Sequence, residues 1–130
     1  MRLRDWERRL ADYLDGVRAD VDALGPVPCA RFAADAAQAQ TGVDYHAPYR
    51  GRYKNEIGAA KVMRQIGGGD LPGTFDKHFE QKPKALARRG DLVFNGESMG
   101  VCVGALALFI HESALVATPP AQWQKVWAVE

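Results

Sequence analysis

The feature that most constrains the fold is a change of texture near Ala87. Before it, apolar residues recur at helical spacing. After it, they fall into short runs broken by glycine and turn residues. Leu3, Trp6, Leu10, Tyr13, Leu14 and Val17 are separated by Arg2, Arg8, Arg9, Asp12 and Asp15, the pattern of an amphipathic helix. Gly25-Pro26-Val27-Pro28 ends it, because prolines restrict the residues before them to extended backbone. A second helix is predicted from about Cys29 to Gln40, with Phe32, Ala33, Ala36 and Ala37 inward and Gly42 as its stop. A third fits Asn55 to Ile66 before Gly67-Gly68-Gly69, a helical turn fits Leu71 to Phe79, and Gln81-Lys82-Pro83-Lys84 reads as a polar link. The second texture predicts strands at Asp91–Asn95, Gly100–Val103 and Leu106–His111. A turn at Glu112-Ser113 then leads into Leu115–Ala117, and Trp123, Trp127 and Val129 close the chain. Helices first and an antiparallel meander last specify an α+β fold, with the N-terminal helices packed on a C-terminal antiparallel sheet. The 130 residues, 47% of them hydrophobic, suit a single domain spanning 1–130.

Charge narrows the partners. Seventeen basic and sixteen acidic residues leave a formal charge of +1, so no overall field calls for nucleic acid or a membrane surface. The basic set Arg50, Arg52, Lys54, Lys61 and Arg64 is the only local argument for nucleic acid, which is not an expected partner. The N-terminus lacks the apolar core of a signal peptide, and Val101–Ile110 is too short to span a bilayer. Synthesis in the bacterial cytoplasm is the expectation. Two cysteines do not form a disulfide framework, and no Cys/His cluster has metal-site spacing. Neither a metal nor a cofactor is expected, and two separate reduced thiols are.

Two stretches carry candidate chemistry. In Val27-Pro28-Cys29-Ala30-Arg31-Phe32 a cysteine sits where a helix begins. Unpaired N–H groups and the positive pole gather at such an end, where they stabilise thiolates. A small, buried, inert cysteine would have the same sequence, so its role turns on whether a base is supplied. The second stretch, Asp44 to Tyr53, holds three of the four tyrosines: Tyr45, Tyr49 and Tyr53, with Arg50 and Arg52. Its functional reading is a binding surface, with tyrosines for stacking and arginines for carboxylate or phosphate. Its structural reading is an ordered loop whose tyrosines cover the neighbouring helix. Arg89-Gly90-Asp91 reads as a turn into a buried strand, not an adhesion motif. Trp123 and Trp127, four apart, are expected on one helical face sealing the core. His46 and His78 are assigned surface polar roles.

The order of a helix-opening cysteine, Gly90-Asp91-Leu92-Val93-Phe94, a glycine-containing apolar strand, Phe109-Ile110-His111 and a late tryptophan pair resembles the NlpC-type cysteine peptidases, papain-like hydrolases of cell-wall peptides. The resemblance covers Pro28–Gln40 and Arg88 to the end. It implies that Cys29 stands in the nucleophile's place and His111 in that of the polar residue that orients the catalytic histidine. Ser98 occupies the position of that histidine in Ser98-Met99-Gly100-Val101-Cys102. Serine has no proton affinity near neutral pH and cannot act as the base. A second resemblance spans nearly the whole chain. Thr41-Gly42-Val43-Asp44, Pro48-Tyr49-Arg50-Gly51-Arg52-Tyr53, Arg89-Gly90-Asp91 and Gly100-Val101-Cys102-Val103-Gly104 are similar to small phage and prophage proteins of unassigned function, encoded among tail-tip components. It implies a virion protein at the tail tip, on a catalytically degenerate NlpC-like fold, that binds other phage tail proteins. The alternative it leaves is a cysteine hydrolase acting on peptidoglycan, with Cys29 as nucleophile and His111 as base.

Overall fold

The computed structural model describes residues 1–130. Four helices precede a six-stranded sheet: α1 Trp6–Ala19, α2 Pro28–Thr41, α3 Glu56–Gln65 and α4 Leu71–Asp76, then β1 Glu80–Lys82, β2 Leu92–Phe94, β3 Met99–Cys102, β4 Ala107–His111, β5 Ala114–Thr118 and β6 Lys125–Ala128. The α+β class read from the sequence is correct. The strand order is β1-β6-β2-β3-β4-β5 and every pairing is antiparallel. Strands β2 to β5 form the meander, and β6 returns to lie between β1 and β2.

Alternation along the strands splits the apolar residues between two faces. Leu92, Phe94, Met99, Val101, Leu108 and Trp127 look toward the helices and join Leu10, Leu14, Phe32, Ala33, Ala36 and Ala37 in the main core. Val93, Cys102, Phe109, Trp123 and Val126 form a smaller cluster on the opposite face. The central strand β2 is therefore buried on both sides. The alanines of α2 let that helix lie close on β3. Its C-terminus is closed by Gly42, whose φ of +80° is the left-handed conformation glycine adopts without strain, and whose N–H donates to the Gln38 carbonyl at 2.7 Å.

A buried polar knot fixes the C-terminal end of α2 to the sheet. The amide of Gln40 (0% exposed) donates to the carbonyls of Ala36 and Gly90 at 3.2 and 2.9 Å, and its oxygen accepts from Arg2 Nε at 3.0 Å. Asp91, 2% exposed, accepts from Lys82 Nζ at 2.6 Å and the Arg88 N–H at 2.8 Å, with Arg2 at 3.5 Å. Gly90 has φ +93°, and a β-carbon there would collide with the Gln40 side chain. Arg89-Gly90-Asp91 is thus a turn into a buried strand.

Two expectations are corrected. Gln81 and Lys82 belong to edge strand β1, paired with Trp127 and Val126, not to a link. Trp123 and Trp127 are both buried but do not share a helical face: Trp127 lies in β6 against the helices, and Trp123 caps the smaller cluster on the other side. Cys102 also faces that smaller cluster, because Met99 and Val101 take the face toward α2. Its thiol donates to the Gly104 carbonyl at 3.2 Å and burial pushes it up from the ordinary thiol range. Cys29 and Cys102 are both free.

Candidate functional site

The N-terminus of α2 opens without a cap. Val27 has no side chain able to accept from the first turn, and Pro28 occupies the first helical position. In α3 and α4, by contrast, Asn55 and Asp70 accept from Gly58 and Gly73, each at 2.8 Å. The N–H groups of Cys29 and Ala30 find no acceptor. They belong to two of the residues that line a largely apolar cavity of about 300 Å³.

The loop after α2 forms the opposite wall. Asp44 starts it: Oδ1 accepts from the His46 N–H at 3.2 Å, and the carboxylate pairs with Arg50 through bonds of 2.7 and 3.1 Å. That pair holds the Asp44 carboxyl below its usual range. The His46 carbonyl accepts from the N–H groups of Tyr49 and Arg50, so the loop coils back along α2. Tyr45, Tyr49 and Tyr53 consequently turn inward and line the cavity, while Arg50 and Arg52 stay exposed. Arg50 is engaged by Asp44. Of the loop's candidate binding residues, the three tyrosines line the cavity and the two arginines do not.

Two tyrosine–imidazole pairs stand in that wall. Tyr53 Oη lies 2.8 Å from His46 Nε2, and Tyr49 Oη 3.0 Å from His78 Nε2. Tyr45 packs its ring against Phe79 at 4.6 Å between centroids and edge-on to His78 at 5.9 Å. His46 is only 8% exposed, and its Nδ1 is the one buried side-chain polar atom without a partner. Helices α3 and α4 complete the cavity with Glu56, Ala59, Met63 and Phe75, and Glu97 reaches it from the β2–β3 turn. The surface roles assigned to His46 and His78 are therefore corrected: both belong to the cavity. Their signal in the sequence was only proximity to the tyrosine-rich loop.

The catalytic positions do not converge. Cys29, half-buried, lines the cavity but forms no hydrogen bond with either imidazole there. Ser98 precedes β3 and is not in the wall, although its neighbour Glu97 is. His111 ends β4, exposed beside a tight turn in which Glu112 and Ser113 both have positive φ. Gly100 pairs with Phe109 and Cys102 with Ala107. Extending that register by two residues would set Ser98 across from His111, at the sheet end outside the cavity. No three His, Cys, Asp or Glu side chains are grouped to hold a metal ion, and no helix is long and apolar enough to cross a membrane.

Residues 1–129 match the model of a protein family described as a domain of unknown function, DUF6950. The chain belongs to this family. No curated protein and no solved structure matches the chain. Within the DUF6950 domain the match takes in the cavity and the whole sheet.

Burial lowers both imidazoles below their ordinary value, His46 with smaller opposing contributions from Asp35 and Arg50, and His78 with help from Lys77. The folded state thus holds them neutral at pH values where the unfolded chain begins to bind protons. Their contribution to stability is complete above about pH 6.5 and is lost as the pH falls through that value toward the lowered folded pKa. Denaturation midpoints are expected to decline between about pH 7 and 5, and less steeply in a His46→Phe/His78→Phe double variant. An equally steep profile in that variant would contradict the assignment.

Proposed function

We propose that this domain is a phage tail-tip or tail-assembly component that acts by binding, on a papain-like NlpC-type scaffold whose peptidase set is broken. The observation that supports a loss of catalysis is that the Cys29 thiol has no hydrogen bond to an imidazole, serine stands in the base's place, and His111 is exposed and does not line the cavity. A cysteine hydrolase needs a base within hydrogen-bond reach of its thiol to form the thiolate and return a proton to the leaving amine. Support for the scaffold comes from the helix carrying Cys29 packing on β3, next to the antiparallel pair β2–β3. Support for the tail-tip role, and for other tail proteins as partners, comes from the sequence resemblance across the length of the chain.

One observation favours the second reading, a peptidoglycan hydrolase: Cys29 shares its cavity with His46 and His78. The two readings separate on incubation with purified peptidoglycan and its soluble stem peptides. The binding reading predicts no new peptide fragments by mass spectrometry, with wild type and Cys29→Ala indistinguishable. Fragments released by wild type and absent with Cys29→Ala would establish the hydrolase.

A further inference from the structure

The two edges of the sheet are defended differently. At one, β1 is three residues long, carries Glu80 and Lys82, and is followed by Pro83. Short length, charge and proline are devices that keep an edge strand from pairing with another chain. At the other edge β5 reads Ala114-Leu115-Val116-Ala117-Thr118, with neither charge nor proline. Ala114, Val116 and Ala117 are exposed, Val116 at 41%.

The turn before β5 fixes which of its backbone groups are free. Glu112 and Ser113 have φ of +49° and +64°, the signature of a type I′ hairpin. In such a turn the Ala114 N–H donates to the His111 carbonyl, so the His111–Ala114 pair is a hydrogen-bonded one. Hydrogen-bonded and non-hydrogen-bonded pairs alternate along an antiparallel ladder. Val116, opposite Phe109, and Thr118, opposite Ala107, therefore also turn their N–H and C=O groups toward β4, while Leu115 and Ala117 turn theirs to the free edge.

This edge is complementary to itself. With a second β5 laid antiparallel about a two-fold axis at Val116, Leu115 of each copy faces Ala117 of the other, and the two residues exchange N–H···O=C bonds. Val116 meets Val116 as a non-hydrogen-bonded pair, the kind in which side chains come closest. Pro119 has no N–H and ends the ladder. Continued past the strand, the same register sets Glu112 across from Pro120, whose carbonyl accepts from Lys84 Nζ at 3.0 Å. Neither Glu112 nor Lys84 is in an ion pair within the chain. A second copy thus brings opposite, unpaired charges together at both ends and opposes no like charges.

We propose that β5 is a self-association edge: two copies of the chain pair antiparallel through β5 about Val116, with Glu112 of each beside Lys84 of the other. The sheet then runs on across the dimer. The contact is one strand wide and belongs to the small, weak class of interfaces, with a Kd on the order of 100 µM. No residue of β5 lines the cavity, so self-association leaves that site open and is independent of the function proposed above.

The test is sedimentation velocity of the whole protein from about 5 to about 500 µM. The weight-average mass is expected to climb from that of one chain toward that of two. Ala117→Pro removes an outward N–H and leaves the bonds to β4 in place, a position where an edge strand tolerates proline. It is expected to weaken association at least about ten-fold, the scale of one lost hydrogen bond at each end of the ladder. Should Ala117→Pro not fold by circular dichroism, Val116→Lys replaces it, setting like charges opposite each other across the axis. Glu112→Lys is expected to weaken the dimer several-fold, and adding Lys84→Glu to restore it. The register is read separately with Val116→Cys. Its two copies would lie with Cα atoms about 4.5 Å apart, within disulfide range, and mild oxidation is expected to join position 116 to itself, as seen by peptide mapping. The mass of one chain at every concentration, association unchanged in the folded edge variant, or no disulfide joining position 116 to itself would overturn the proposal.

Discussion

Asp91→Ala is expected to destabilise the domain by about 3 kcal/mol, measured by chemical denaturation at neutral pH. The carboxylate is 2% exposed and holds Lys82, the Arg88 N–H and Arg2 together. Removing one partner of a buried pair leaves the other charge without compensation, a loss of about 3–5 kcal/mol. The lower end applies because the Arg2 and Lys82 side chains keep 19% and 16% exposure and can turn partly to water. Asp91→Asn retains an acceptor of the same shape and should cost less. The knot joins the N-terminus, α2, β1 and the start of β2, so its loss loosens the frame that holds the cavity's main helix. An alanine variant within about 1 kcal/mol of wild type would show that water replaces the knot at little cost.

Phe32→Ala is expected to cost about 3–5 kcal/mol. Phe32 is 0% exposed, in the middle of the face that α2 turns to the sheet and α1. Its ring stacks on Tyr13 at 6.2 Å between centroids, and its carbonyl accepts from Tyr13 Oη at 3.2 Å. Burial pushes the Tyr13 phenol far above its ordinary range, so it remains a donor at any working pH. The backbone bond survives the substitution, and the loss is therefore the ring: transfer free energy plus the cavity left behind. Thermal and denaturant unfolding should both report it. A much smaller cost would require α2 to collapse toward β3, displacing Cys29, which its alkylation rate would reveal.

Helices, their stops and the β2–β5 meander were legible because each is written in local chemistry. Apolar residues at helical spacing give α1 and α2, Gly42 ends α2, and turn residues separate strands rich in Val, Leu and Phe. Strand β1 was not legible: Glu80-Gln81-Lys82 is a polar edge strand with no alternation to read, and it exists because β6 offers it a partner. The faces of Trp123 and Trp127 were misread because spacing by four is shared by helices and irregular extended chain. For the site, the stretches containing Cys29 and Tyr45 to Tyr53 were recognised separately. Their union across one cavity was not, since it depends on the loop doubling back along α2. His46 and His78 are thirty-two positions apart and share no periodic pattern. Only the packing of α4 against the loop brings their rings into one wall.

The central claim is that Cys29 marks a scaffold and not a working nucleophile. For the tail-tip role proposed above, its most direct measurement is infection by phage particles carrying Cys29→Ala, compared with wild type for particle yield and for entry into cells. Both should be unchanged, because in the proposed binding role the Cys29 thiol takes no part in chemistry. Particles assembled in normal yield that cannot enter cells would contradict it and return Cys29 to catalysis.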